Sequence, residues 1–140
     1  GIDRWFPYKY KLGYTGLTTP KEHYTLLRLA EQYLIRAEAR LHLQEIDGCH
    51  ADLNKLRSRA GLPDFTSTDP TEIRSEIELQ RQLELCLETG HRFFDLKRTN
   101  RIDEVLWILK APGWQSNDKL LPIPAQELNL NAFLHQNPGY

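Results

Sequence analysis

The spacing of apolar residues between Lys21 and Asp47 constrains this chain more than any other feature. Leu26, Leu29, Ala30, Tyr33, Leu34, Ala37 and Leu41 recur at intervals of three and four, the period of a helix with one buried face. Thr19 and Pro20 suit the start of such a helix, and Gly48 suits its end. A second stripe over Cys49 to Arg59 points Leu53, Leu56 and Ala60 inward and stops at Ala60-Gly61-Leu62-Pro63. A tight connection at Asp47-Gly48 makes the two helices an antiparallel hairpin, with Ala37 and Ala51 small enough to let them cross closely. This is one unit of tetratricopeptide type, not an array.

A third helix is predicted from Asp69 to about Glu88. Asp69 can cap it, Pro70 takes the first helical position and Glu72 completes a capping box. Ile73, Ile77, Leu83 and Leu87 are its expected inward residues. The stretch from Glu84 to Arg98 then bends at Thr89-Gly90, where glycine takes a left-handed conformation cheaply. It resumes as a short helix carrying Phe93, Phe94 and Leu96. Ile102, Val105, Leu106 and Leu109 give one more short helix ending before Pro112-Gly113. Pro122 and Pro124 forbid a helix over Lys119 to Pro124, while Pro124 to Leu128 can form a helical turn. Leu121, Ile123, Leu128 and Phe133 give the remaining tail apolar surface to bury, so it is expected to wrap back on the helices. The predicted class is all-α: a hairpin plus further helices, long irregular loops and an extended C-terminal tail. The expected division is an aromatic arm at 1–20, a helical scaffold at 21–111 and a wrapping tail at 112–140.

Bulk properties narrow the function classes. The chain has 140 residues, enough for one domain with a core. A formal net charge of -1 gives no electrostatic argument for nucleic acid. No apolar run approaches the roughly 20 residues that span a bilayer. The opening GIDRWFPYKY has neither an initiator Met nor the apolar stretch of a signal peptide, and reads as a fragment or trimmed chain. Cys49 and Cys86 lack a CxxC partner, so neither a zinc site nor a redox motif is indicated, and nothing fixes whether they pair.

No catalytic centre, metal site or cofactor is expected. There is no HExxH, GxSxG, P-loop or GxGxxG, and His23, His42, His50, His91 and His135 are scattered singly. Glu84 and Glu88 do form a carboxylate pair on one helical face, as acid–base work would need. Arginines within reach should hold both ionised, making them poor acids near neutral pH. The better reading of the charges is a lattice in which planar guanidinium groups bridge carboxylates on neighbouring helices. Its candidates are Glu31, Glu38, Arg57, Arg59, Arg81, Glu84, Glu88, Arg92, Asp95 and Arg98.

Five motifs stand in order: RLAEQYLIRAEA (28–39), LNKLRSRAGLP (53–63), LELCLETGHRFFDLKR (83–98), LLPIPAQEL (120–128) and QNPGY (136–140). Together they resemble the C-terminal part of SusD/RagB-type proteins, with one departure: Gln80-Arg81 stands where the family usually has Glu-Arg. The resemblance implies a mainly helical, non-enzymatic, lipid-anchored protein on the outer face of the outer membrane. Such a protein binds oligosaccharides or other nutrients and partners a SusC-like TonB-dependent transporter. Its lipid would be carried by an N-terminal cysteine absent from this chain, and part of its ligand site would lie in the missing N-terminal half.

The motifs of that resemblance are scaffold motifs, so ligand contacts rest on side-chain type alone. Trp5, Tyr8, Tyr14, Trp107 and Trp114 can stack on sugar rings. With no acidic or amide side chains clustered alongside, Trp5, Tyr8 and Tyr14 read first as part of an arm packed on a domain surface. Trp114 lies beside Gln115, Asn117 and Asp118 as hydrogen-bond partners, or else anchors the tail. The alternative function is a protein–protein scaffold, with ligand binding confined to the missing half.

Overall fold

The computed structural model describes residue 9 and residues 25–140. Among these the chain is helical and has no strand: α1 (Leu29–His42), α2 (Ile46–Arg59), α3 (Pro70–Glu84), α4 (His91–Arg98), α5 (Ile102–Leu109) and α6 (Ala125–Leu130), with a 3-10 turn at Ser116–Lys119. They fall into two compact units, one ending at His91 and the other running Arg92–Tyr140.

In the first unit α1 packs against both α2 and α3. Leu34, Ala37 and Leu41 of α1 meet Cys49, Leu53 and Leu56 of α2 and Ile73 and Ile77 of α3 in one core. Leu34, Leu53 and Ile73 are wholly excluded from water, and each such side chain stabilises the fold by about 1.5–3 kcal/mol. The stripe is shorter than its period implied. Leu26 precedes the helix and Leu29 is its first residue; both are exposed. Ala51 and Ala60 are exposed as well, so Ala37 alone provides the close approach.

The hairpin turn also differs from the sequence reading. α1 stops at His42, and the reversal is made by Leu43, Gln44 and Glu45, with Gln44 at φ +63°. Gly48 lies inside α2 instead of ending α1. Its missing side chain leaves room for Arg40: a Cβ there would stand 3.0 Å from Arg40 Cδ and Nε. The glycine is a seat for a side chain, not a breaker.

Asn54 on α2 shapes the following loop from both sides of one residue. Its amide oxygen accepts from Phe65 N at 2.8 Å, and its amide nitrogen donates to Phe65 O at 3.2 Å. Asp69 caps α3 by accepting from Thr71 N at 2.7 Å, with Pro70 in the first turn. α3 ends at Glu84, four residues before the predicted Glu88, and Leu83 and Leu87 are exposed rather than inward. Leu87 (φ +62°), Thr89 (φ +35°) and Gly90 (φ +74°) carry the bend, so the left-handed turn is distributed over three residues.

In the second unit Leu96, Ile102 and Trp114 form a small core flanked by Phe93, Val105 and Leu106. Phe94 and Leu109 are exposed. The tail is held by polar contacts more than by apolar burial. Gln136 donates to Ile123 O (3.0 Å) and accepts from Ile123 N (2.8 Å). Asn137 Nδ2 donates to Leu121 O (2.7 Å), and Tyr140 OH donates to Leu120 O (2.9 Å). Gly139, at φ +96°, closes against Asn117, where a Cβ would meet Nδ2 at 2.7 Å. Leu121 and Phe133, expected to be buried, are exposed.

Candidate functional site

The densest chemistry lies where α3 ends. The bend after Glu84 buries Glu88 and leaves the Glu84 and Cys86 carbonyls without a continuing helix. Cations take those carbonyls. Lys9 Nζ donates to Glu84 O at 2.8 Å, Cys86 O at 3.0 Å and Glu88 Oε1 at 2.9 Å. Arg28 stands at the N-cap of α1 in an extended conformation. Its Nη1 donates to Glu84 O at 2.8 Å and to both Glu88 oxygens, at 2.8 and 3.0 Å. Its Nη2 pairs with Glu84 Oε1, and Arg59 Nη2 takes the other Glu84 oxygen. Glu31 lies nearby, with Arg81 Nη2 at 3.8 Å and His91 Nδ1 at 3.6 Å.

Burial pushes the Glu88 carboxyl up, but hydrogen bonds from Lys9 and Arg28, together with their charges, outweigh it and hold it below the ordinary glutamate range. A carboxylate so held accepts hydrogen bonds; it does not donate protons near neutrality. The cluster joins the start of α1, the end of α2 and the bend after α3 through two carboxylates.

Of the ten residues expected in a lattice, Glu31, Arg57, Arg59, Arg81, Glu84 and Glu88 lie in ion pairs of the first unit. Arg57 bonds Glu76 and also donates to Pro63 O at 2.8 Å. In the second unit Arg98 Nε donates to Asp95 Oδ1 at 2.9 Å. Glu38 and Arg92 are half-buried. The departure at Gln80 has a visible partner: its amide is buried and donates to Glu76 Oε1 at 2.9 Å.

Two clusters escaped the sequence reading. Asp52, buried on α2, accepts from Arg36 Nε (2.9 Å) and Nη2 (2.6 Å) and from Arg40 Nη1 (2.7 Å). The signal was present: Asp52 falls at helical spacing beside Cys49, Leu53 and Leu56, and Arg36 and Arg40 stand four apart on α1. Asp103 accepts from Trp114 Nε1 (3.1 Å), Ser116 Oγ (2.9 Å) and Lys119 Nζ (3.3 Å). The Trp114 hydrogen bond is the leading cause that keeps its carboxyl below the usual aspartate range. Only side chains eleven to sixteen residues away make this site, beyond any helical period.

Asp103 also decides what Trp114 does. The indole is 8% exposed, packed with Leu96 and Ile102, and its N–H is taken. Of the two readings the sequence left open for Trp114, its burial and its hydrogen bond to Asp103 favour the anchor. Trp107 is 64% exposed on α5 and does offer a ring face. Trp5, Tyr8 and Tyr14 lie outside the described residues. Cys49 is buried, Cys86 is exposed and neither is in a disulfide. Among the described residues no three His, Cys, Asp or Glu side chains converge to hold a metal ion.

One cleft of about 480 Å³ opens in the first unit at the start of α1. Leu27, Leu29, Tyr33 and Leu56 form its apolar surface, and Lys55 and Arg59 stand on its α2 side.

The helical fold has clear relatives. The sequence matches the profile of the SusD family over residues 2–140; the chain belongs to that family. It is 30% identical to SusD-like protein P25 of Formosa agariphila over its whole length, which covers 30% of that protein. It is 34% identical to the starch-binding protein SusD of Bacteroides thetaiotaomicron over 88% of the chain and 22% of that protein. A crystal structure of a SusD-like protein from Bacteroides fragilis superposes with a TM-score of 0.67 at 32% identity, covering 82% of this chain and 25% of that one. The chain thus spans under a third of the length of these relatives.

Proposed function

We propose that this chain belongs to a cell-surface component that binds a glycan for uptake across the outer membrane, working with a SusC-like TonB-dependent transporter. Membership of the SusD family over residues 2–140, with a starch-binding relative at 34% identity, is the observation that carries the reading. The role is binding, not catalysis. It agrees with a Glu88 held ionised by two cations. Attachment to the membrane would come from a lipid at the N-terminus of the whole protein. Trp107, 64% exposed, is a described tryptophan able to meet a sugar face.

A second reading has its own support. Most of the charges placed here are committed to ion pairs, and Trp114 is committed to packing. On that reading these residues are the scaffold, and ligand contacts lie in the rest of the protein. Calorimetric titration of the whole protein and of the 140-residue chain, against malto-oligosaccharides and a wider glycan panel, separates the two. Binding by both supports ligand contacts here; binding by the whole alone assigns these residues to the scaffold. No binding by either removes the glycan reading.

A further inference from the structure

Asp103 and Trp107 stand one turn apart on α5, so they share a face of the helix with about 5–6 Å between their Cβ atoms. The Trp107 indole is largely exposed. At the other end of that face Asp103 is joined by Ser116 and Lys119 from the following loop. Lys119 Nζ donates to Ser116 Oγ at 3.0 Å and to Asp103 Oδ2 at 3.3 Å. On its inner side the cluster is fixed: buried Trp114 donates to Asp103 Oδ1, and Ser116 Oγ donates to Oδ2. On its outer side it is open, with the Asp103 and Lys119 side chains 45% and 39% exposed.

Hydrogen-bonding capacity is left over after those contacts. A carboxylate has about four acceptor positions, and among the described residues three donors use those of Asp103. The Lys119 ammonium has one more N–H than its contacts to Asp103 and Ser116 occupy. What remains is an acceptor beside a donor, at the edge of an exposed aromatic ring.

We propose that this face of α5 binds an uncharged sugar ring, its C–H face stacked on Trp107 and two neighbouring hydroxyls seated on Asp103 and Lys119. Neighbouring hydroxyls suit the pair because each can donate or accept: one donates to the carboxylate, and the other accepts from the ammonium. Stacking supplies contact area, and the polar pair sets the orientation of the ring. Asp103 and Lys119 are held in place before a ligand arrives, so binding has few side chains to order. Charge selects a neutral ring. Lys119 is matched by Asp103, and Arg101 by Glu104 at 3.4 Å. Among the described residues, that end of the face therefore offers no unmatched cation to clamp a uronate or a sulfate ester.

The proposal rests on the glycan reading and adds to it the place and chemistry of one contact. Fluorine NMR of the whole protein, labelled with fluorotryptophan, tests it at the ring itself, with the Trp107 resonance identified by Trp107→Phe. The probes are neutral malto-, cello-, xylo- and manno-oligosaccharides, with oligogalacturonates as the acidic comparison, and calorimetry is run on the same samples. A neutral oligosaccharide should move the Trp107 resonance saturably. Lys119→Met should raise the half-saturating concentration about tenfold, the effect of losing one charged hydrogen bond. Heat of binding with an unmoved Trp107 resonance overturns the site and leaves the glycan reading standing. No heat with any of these sugars removes both. Movement with oligogalacturonates alone overturns the neutral ring, and a half-saturation unchanged in Lys119→Met overturns the polar half. A Trp107 resonance that ignores exchange of light for heavy water also overturns the proposal, because the face is then covered in the whole protein.

Discussion

Arg40 and Asp52 face each other across the α1–α2 hairpin, with Nη1 at 2.7 Å from Oδ2, and the same nitrogen donates to Gly48 O at 3.0 Å. The guanidinium crosses α2 at its one glycine to reach a carboxylate that is 2% exposed. Arg36 takes the other Asp52 oxygen at 2.6 Å. One aspartate thus fixes two positions of α1 against α2.

Removing that carboxylate should be felt. Asp52→Ala loses three charge-assisted hydrogen bonds, yet both arginines retain access to water, at 54% and 28% side-chain exposure. No buried charge is stranded, so the cost should be about 2 kcal/mol, below that of breaking a fully enclosed pair. Urea unfolding followed by circular dichroism checks it, with the midpoint moving and the slope unchanged.

Gly48 should behave unlike most helical glycines. Glycine to alanine in a helix interior ordinarily gains about 1 kcal/mol. Here the new methyl would press on Arg40 at 3.0 Å, and Arg40 is held by Asp52 and the Gly48 carbonyl. Gly48→Ala should destabilise the wild-type chain and stabilise an Arg40→Ala variant. A double-mutant cycle would then show coupling above about 1 kcal/mol.

Glu88 should govern part of the acid response. Its folded carboxyl sits below the ordinary value, so its contribution is fully present above the unfolded pKa of about 4.3. That contribution fades as pH falls through the folded value, because protonation removes the acceptor for Lys9 and Arg28. Glu88→Gln should cost about 2 kcal/mol at pH 7 and flatten the acid limb of the stability profile. Chemical denaturation from pH 7 to pH 3 measures both, and parallel wild-type and variant profiles would refute the assignment.

Gln80 is matched to its neighbour. Its buried amide donates to Glu76 Oε1, which Arg57 also holds. Gln80→Glu restores the residue usual in the family but sets two carboxylates side by side, with a donor lost. It should destabilise by about 1–3 kcal/mol at pH 7. The penalty should shrink toward pH 4, where a protonated glutamate can donate again. A penalty independent of pH would point to packing instead.

The two tryptophans of the second unit should separate cleanly. Trp114→Ala empties a site against Leu96 and Ile102 and releases Asp103, costing about 3 kcal/mol. Trp107→Ala, at an exposed position, should stay within about 0.5 kcal/mol of wild type. On the proposed function, only Trp107→Ala weakens glycan binding without loss of stability, as titration beside thermal melts would reveal.

Apolar periodicity carried most of the helical reading. Leu34, Ala37, Leu53, Leu56, Ile73 and Ile77 are buried as their spacing required, because a helix can hide only one face. Asp69 and Pro70 marked the start of α3, since capping depends on neighbours in sequence. Helix ends were less legible. Leu29, Leu83 and Leu87 continue the pattern but project from first, last or post-helical turns where nothing among the described residues covers them.

By itself the sequence determined an all-α chain, its order of helices, the bend through Gly90 and the family to which these motifs belong. Each depends on residues close along the chain or on a pattern read in order. Tertiary structure decided which of the charges far apart in sequence meet. Arg28 finds Glu84 and Glu88 across 56 and 60 residues, and Trp114 turns inward because Asp103 accepts its N–H. Gly48, which looked like a stop, became the place where Arg40 crosses. Ion pairs and packing are set by distance in space, and a helical period fixes such distances only within about one or two turns.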